Sequence, residues 1–195
     1  MIQISNIIHD EKHILELTQL ASKDNHRNSK NYLDFEKRLD SLMAFHVVYN
    51  YDMPVAFAGM FMPSYWPKNH VRILDRCFYF KHARCGGLNF INEKQLKTTA
   101  STYFIPKQTK LALEEKLIPF WSIQEIQRRK AMIRQVDRFN EYNKDYQFYV
   151  LPGMYQTTKN DTGKESWQSI AVLKQHTSHF KLKSKSLSYF IDRKF

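Results

Sequence analysis

The chain has 195 residues, 43% hydrophobic and 14% aromatic, with 30 Lys and Arg against 19 Asp and Glu for a formal net charge of +11. That size and composition exclude wholesale disorder and predict a single globular domain with a sizeable aromatic core. The charge predicts attraction to something anionic: nucleic acid, a phosphorylated cofactor, an acidic protein or a membrane surface.

The first residues, MIQISNIIHDEKHILEL, lack a basic segment followed by an unbroken apolar one, so no signal peptide is read there. The longest apolar run, about residues 55–62, is too short to span a bilayer. The expectation is a soluble, cytoplasmic protein. Cys77 and Cys85, the only cysteines, sit in or just after one strand, a spacing that suits neither a zinc knuckle nor a redox pair; both read as reduced thiols.

Residues 2–8 read as a short strand. Residues 10–22 read as a helix with Asp10 at the N-cap and Ile14, Leu15, Leu17, Leu20 and Ala21 on one face. His9 and His13 are four apart, but no third ligand stands near and they read as surface histidines. After a polar loop at 23–31, an amphipathic helix over 32–42 carries Leu33, Phe35, Leu39 and Leu42. Residues 45–49 and 55–62 read as a β-hairpin about a turn at 50–54. A proline-flanked loop with Tyr65 and Trp66 then leads into residues 71–89, VRILDRCFYFKHARCGGLN.

This stretch is a strand that runs into basic residues and then into Gly86 and Gly87, two of only five glycines. Glycine lets another group approach the main chain closely, so such a strand end, with Lys81, His82 and Arg84 beside it, suits a phosphate. The same residues also make an ordinary turn with a solvated basic rim. Further on, residues 94–100 admit helix, and Pro106 suits the first position of a helix reaching Lys116. Residues 117–123, LIPFWSI, read as a buried strand, giving a β-α-β crossover and parallel pairing. A helix over 124–142 would bury Ile126, Ala131, Ile133, Val136 and Phe139, with Arg128, Arg129, Lys130, Arg134 and Arg138 opposite. Residues 146–154 and 167–173 read as an antiparallel hairpin, so the sheet is mixed. In the basic tail, 174–195, the SKSLS stretch reads as mobile, while Phe180, Leu182, Leu187, Tyr189 and Phe190 offer packing surface.

The order β-α-α-β-β-β-α-β-α-β-β, with a glycine turn after the fourth strand, resembles the GNAT acyltransferase superfamily, and within it divergent small proteins of phage-type genomes. In that family the fourth strand leads into a loop of pattern Arg/Gln-x-x-Gly-x-Gly/Ala, whose amides hold the pyrophosphate of acetyl-CoA with the help of a helix N-terminus. Arg84 and Gly87 match the first two fixed positions and Asn89 stands at the third; the segment from Gly87 to Pro106 is longer than the family's usual connection. The resemblance implies an α+β fold: a mixed, mostly antiparallel sheet of about seven strands flanked by four helices over residues 1–173, followed by the tail. It implies an acyl-CoA-dependent N-acyltransferase with acetyl-CoA as donor; from the residues no metal and no membrane partner are expected, and the location expected is the cytoplasm, or the host cytoplasm if phage-encoded.

It also implies roles. The main chain of Cys77, Phe78, Tyr79, Phe80 and Lys81 would pair with the pantetheine arm, and Arg84, Cys85, Gly86, Gly87, Leu88 and Asn89 would hold the pyrophosphate. Asp75 would be general base, directly or through water, unless it is a strand-edge carboxylate paired with Arg72 or Arg76. Tyr142, with Tyr146 as alternate, would protonate the departing thiolate. Trp121 and Ser122 would meet the substrate, although Trp121 also suits the core; Tyr65 and Trp66 would line an acceptor pocket or form a rigid exposed loop. The alternative is a non-catalytic, GNAT-like basic protein that binds nucleic acid through the arginine face of 124–142 and the tail.

Overall fold

The computed structural model describes residues 2–24, 36–63, 68–80, 90–91, 97–98, 100–123, 128–159, 165–180 and 184–187. The chain divides into two units, residues 1–62 with 73–111 and residues 63–72 with 112–195.

The first unit opens with β1 (Ile2–Asn6) and α1 (Glu11–Asp24). Asp10 caps α1, its Oδ1 accepting the His13 N–H at 3.0 Å. A 3₁₀ turn (Glu36–Ser41) stands in place of the second half of the expected helix over 32–42 and leads straight into β2 (Leu42–Asn50). β2 pairs antiparallel with β3 (Met53–Phe61) across a turn in which Tyr51 is left-handed, φ 53°. β1 pairs antiparallel with β2, from Ile2↔Asn50 to Asn6↔His46. β4 (His70–Tyr79) starts in the second unit and enters the first at Ile73, next to β3. Then come β5 (Phe90–Ile91), β6 (Lys97–Thr98) where helix was expected, and α2 (Ala100–Glu114).

Both faces of these strands are buried. On one, Ile14, Leu17 and Ala21 of α1 meet Phe45, Val47, Phe57, Phe61, Phe78 and Phe80, with ring centroids 5.0 Å apart for Phe45–Phe57 and 5.7 Å for Phe57–Phe78. On the other, Phe104 of α2 meets Val48, Val55, Ala56 and Ala58. Each fully buried Phe is worth about 1.5–3 kcal/mol. The same anchoring corrects the reading of Pro106, which lies inside α2 rather than at its start. Phe104 and Ile105, at 0% and 1% exposure, carry the helix through the proline.

The second unit holds β7 (Ile118–Ile123), α3 (Arg129–Tyr142), β8 (Phe148–Val150), β9 (Met154–Lys159), β10 (Glu165–Leu173), a 3₁₀ turn (Lys174–His179) and β11 (Ser184–Lys185). β7 runs parallel to the start of β4, His70↔Ile118 to Arg72↔Phe120, and antiparallel to β10, Ser169↔Ile123 to Val172↔Phe120. β10 also pairs with β8 and β9, and β11 with β9. Among the described residues, the parallel ladder of β4 with β7 beside antiparallel ones makes the expected mixed sheet, in an α+β chain. Eleven strands and three α-helices lie among the described residues, against about seven and four expected, largely because β5, β6 and β11 are two-residue bridges.

The buried stripe of α3 is Arg129, Met132, Val136 and Phe139, at the three-and-four spacing of one helix face. This corrects the expectation: Ala131 and Ile133 are exposed, Arg129 leaves the basic face for the interior, and Ile126 lies outside the described residues. Phe180 seats the tail, with its ring 4.9 Å from His70 and 5.7 Å from Phe120. Among the described residues no helix is long and apolar enough to cross a membrane.

Candidate active site

A straight strand sends alternate side chains to opposite faces, so residues three apart cannot share one. In β4, Leu74 packs in the α2-side cluster and so do Cys77 and Tyr79, while Phe78 and Phe80 pack on the α1 side. One residue is therefore extra, and Leu74 supplies the irregularity with φ 53°. Such a bulge favours glycine, because a Cβ in the left-handed region costs of order 1 kcal/mol.

Asp75 follows this kink directly and is 4% exposed. Beyond it, the Phe80 N–H is given to the Val55 carbonyl at 3.1 Å, so by alternation the Cys77 and Tyr79 main-chain groups point to the strand's other edge. Of the five residues expected along such an arm, Cys77 and Tyr79 present their main chain at this edge, Phe78 and Phe80 face β3, and Lys81 lies outside the described residues. Burial pushes the Cys77 thiol up to about 12, against a smaller opposing hydrogen bond with Tyr79, so it stays a thiol at neutral pH.

Behind the kink stands Gln108 of α2, with no exposed surface. Its Oε1 accepts the Leu74 N–H at 2.9 Å, and its Nε2 donates to the Ala58 carbonyl at 3.1 Å and lies 3.5 Å from Nδ1 of His46. His46, 6% exposed, is held near pKa 4 by burial and then by the charge of Lys107, so its ring is neutral and Nδ1 can accept. Sequence reading passes over both residues. The signal is that Phe104, Gln108 and Ala112 fall four apart on the buried stripe of α2, an amide among core positions.

In the second unit, Trp121 and Ser122 leave β7 on opposite faces. Trp121, 4% exposed, packs on Phe148 at 4.7 Å, and Phe148 on Phe139 of α3 at 5.8 Å. The Ser122 hydroxyl donates to Gln168 Oε1 on β10. Arg129 donates from Nη1 to the Gly153 carbonyl (3.3 Å) and Ser169 Oγ (3.2 Å), and from Nη2 to the Leu151 carbonyl (2.9 Å). Burial lowers its pKa, with Tyr155 and Tyr149 acting the other way, and the group stays charged. Tyr142 ends α3 at 49% exposure. Tyr146 lines a cavity of about 270 Å³ with Leu113, Leu173 and Lys174. Lys81, Arg84, Cys85, Gly86, Gly87, Leu88 and Asn89, and also Tyr65 and Trp66, lie outside the described residues.

No protein-family model matches the sequence, and no curated protein does. Solved structures do match in fold. A ribosomal-protein alanine N-acetyltransferase of Escherichia coli superposes with a TM-score of 0.53 at 10% identity, covering 89% of this chain and 94% of that one. The acetyltransferase of GNAT family from Streptococcus pneumoniae gives 0.50 at 9% identity, covering 89% and 99%. The yncA structure of Salmonella typhimurium, which holds its cofactor acetyl-CoA, gives 0.50 at 14% identity, covering 88% and 92%. The chain has the fold of the GNAT acetyltransferases, in a sequence far diverged from these structures.

Proposed function

We propose that this protein is an acyl-CoA-dependent N-acyltransferase that moves an acetyl group to an amine. The observation that carries the reading is β4 itself: on a GNAT fold, it kinks at Leu74, places a buried carboxylate next and turns the Cys77 and Tyr79 main chain away from β3. Acetyl-CoA, when bound, supplies a thioester activated for acyl transfer. Cys77 and Tyr79 would bind and orient its extended arm through main-chain hydrogen bonds, and Arg84, Cys85, Gly86, Gly87, Leu88 and Asn89 would take the phosphates. Asp75 takes the proton that the acceptor amine sheds as its bond to the acyl carbon forms, directly or through one water. Tyr142 gives its phenolic proton to the sulfur as the carbon–sulfur bond breaks. A neutral Cys77 thiol favours direct transfer over an acyl-cysteine relay.

The test is calorimetry with acetyl-CoA, CoA and ATP on the whole protein. Both CoA species should bind with ATP much weaker, and Gly87→Glu should abolish binding while leaving the circular dichroism spectrum intact. Thiol release should then be followed over a panel of amines. Asp75→Asn should lower turnover about 10²-fold or more with acetyl-CoA affinity kept. No binding at millimolar ligand would sink the reading.

A further inference from the structure

A kink at a leucine needs something to hold it, and one buried side chain touches every element concerned. Gln108 uses both ends of its amide: the oxygen takes the Leu74 N–H, and the nitrogen meets the Ala58 carbonyl on β3 and faces His46 on β2. The orientation is fixed by its neighbours, since the reverse would set N–H against N–H and oxygen against oxygen. A buried N–H left without a partner costs about 1–3 kcal/mol, comparable to the strain of the left-handed leucine, so the amide decides whether the kink persists. The kink in turn decides which residues beyond it face which way. In a straight β4, Cys77 and Phe78 would exchange faces, and the main-chain groups offered to each strand edge would exchange with them.

We infer that Gln108 is a positioning residue: its amide braces β4 in the kinked form and thereby sets the edge to which Cys77 and Tyr79 present their main chain. The consequence for acetyl-CoA rests on the function proposed above; the brace itself does not.

The test combines amide hydrogen exchange by NMR with acetyl-CoA calorimetry on the full chain, for the wild type, Gln108→Met and Gln108→Glu. In Gln108→Met the Leu74 amide should exchange about tenfold faster relative to Val47 and Phe57 in the same sample, and acetyl-CoA affinity should fall about tenfold. In Gln108→Glu, a buried carboxyl should be protonated at about pH 5, where it can accept from Leu74 and donate to Ala58, and ionised at about pH 8. The oxygen facing Leu74 accepts in both forms and ionisation removes only the proton given to Ala58, so at about pH 5 Leu74 protection relative to Val47 and Phe57 should match the wild type, a recovery that general loosening of the fold does not produce. If the methionine variant does not fold, the glutamate variant at about pH 5 decides the question. Leu74 exchange that moves in step with Val47 and Phe57, or that in the glutamate variant at about pH 5 lacks the wild type's protection, would overturn the brace. Faster Leu74 exchange with unchanged affinity would overturn its role in positioning. A wild type that ignores acetyl-CoA would remove the coenzyme reading and leave the exchange result to judge the brace.

Discussion

Acidification between pH 6.5 and 4 offers a direct measure of how tightly the first unit is built around a neutral His46. The ring is 6% exposed, its Nδ1 faces an amide N–H donor 3.5 Å away, and Lys107 adds positive charge, so protonation sets donor against donor in a buried place. The pKa falls from 6.5 to about 4 on folding, with burial the larger cause. The unfolded chain therefore binds this proton more tightly. The stability contributed by neutral His46 is complete above pH 6.5, is lost as pH falls toward 4, and falls no further below that. The loss amounts to about 3 kcal/mol, with a slope of at most about 1.4 kcal/mol per pH unit. Carboxylates titrate in part of the same window, so the measurement is a difference: urea unfolding of wild type and His46→Asn at several pH values. Asparagine keeps an acceptor near Nδ1 and does not titrate. The wild type should lose about 2–3 kcal/mol relative to the variant between pH 7 and pH 4.5. Parallel stability curves, or a His46 ring resonance that titrates near 6.5, would refute the reasoning.

Other outcomes follow from the second unit and from β4. Arg129→Met removes three hydrogen bonds and leaves the Leu151 and Gly153 carbonyls without this donor; it should cost about 2–4 kcal/mol by chemical denaturation, and Arg129→Lys, lacking the fork, should recover little of it. Gly153→Ala should destabilise by about 1–3 kcal/mol and loosen β11, because φ is +88° and a Cβ would lie 2.6 Å from the Lys185 carbonyl oxygen; unchanged proteolytic release of the tail would contradict this. In a Cys85→Ser background, the remaining thiol should be silent to a disulfide reagent at pH 8 and react only in denaturant, since burial holds Cys77 near 12; prompt reaction in the folded protein would show an open β4.

The strands of the hairpin and β7 were legible because their apolar runs are dense and bounded by turn residues. α3 was legible as a helix but not in its orientation. An arginine scored as a surface cation hides that Arg129, Met132, Val136 and Phe139 form the apolar spacing, and its charge is tolerable inside only because Leu151, Gly153 and Ser169 arrive from distant sequence. Pro106 misled for a related reason: local propensity stops a helix there, and burial of Phe104 and Ile105 overrides it. In β4, the place of Asp75 on the fourth strand was legible, though not its burial. The kink before it was not, since a left-handed leucine leaves no mark in composition or period, and its brace is an amide 34 residues away.

The pairing of β7 bears on how the protein is made. Its two ladders join it to strands nearly fifty residues before and after it, so the hexapeptide Ile118–Ile123, which carries no charge, leaves the ribosome well before β10 exists to cover it. An uncharged segment of this kind is an aggregation hazard in a nascent chain, tempered here by Pro119 and by the preceding charges Glu114, Glu115 and Lys116. Heterologous expression should reward slow synthesis and abundant chaperone. When the chain is trimmed for crystallisation, β10 is the element to keep, because a truncation before Glu165 leaves that edge of β7 uncovered for good.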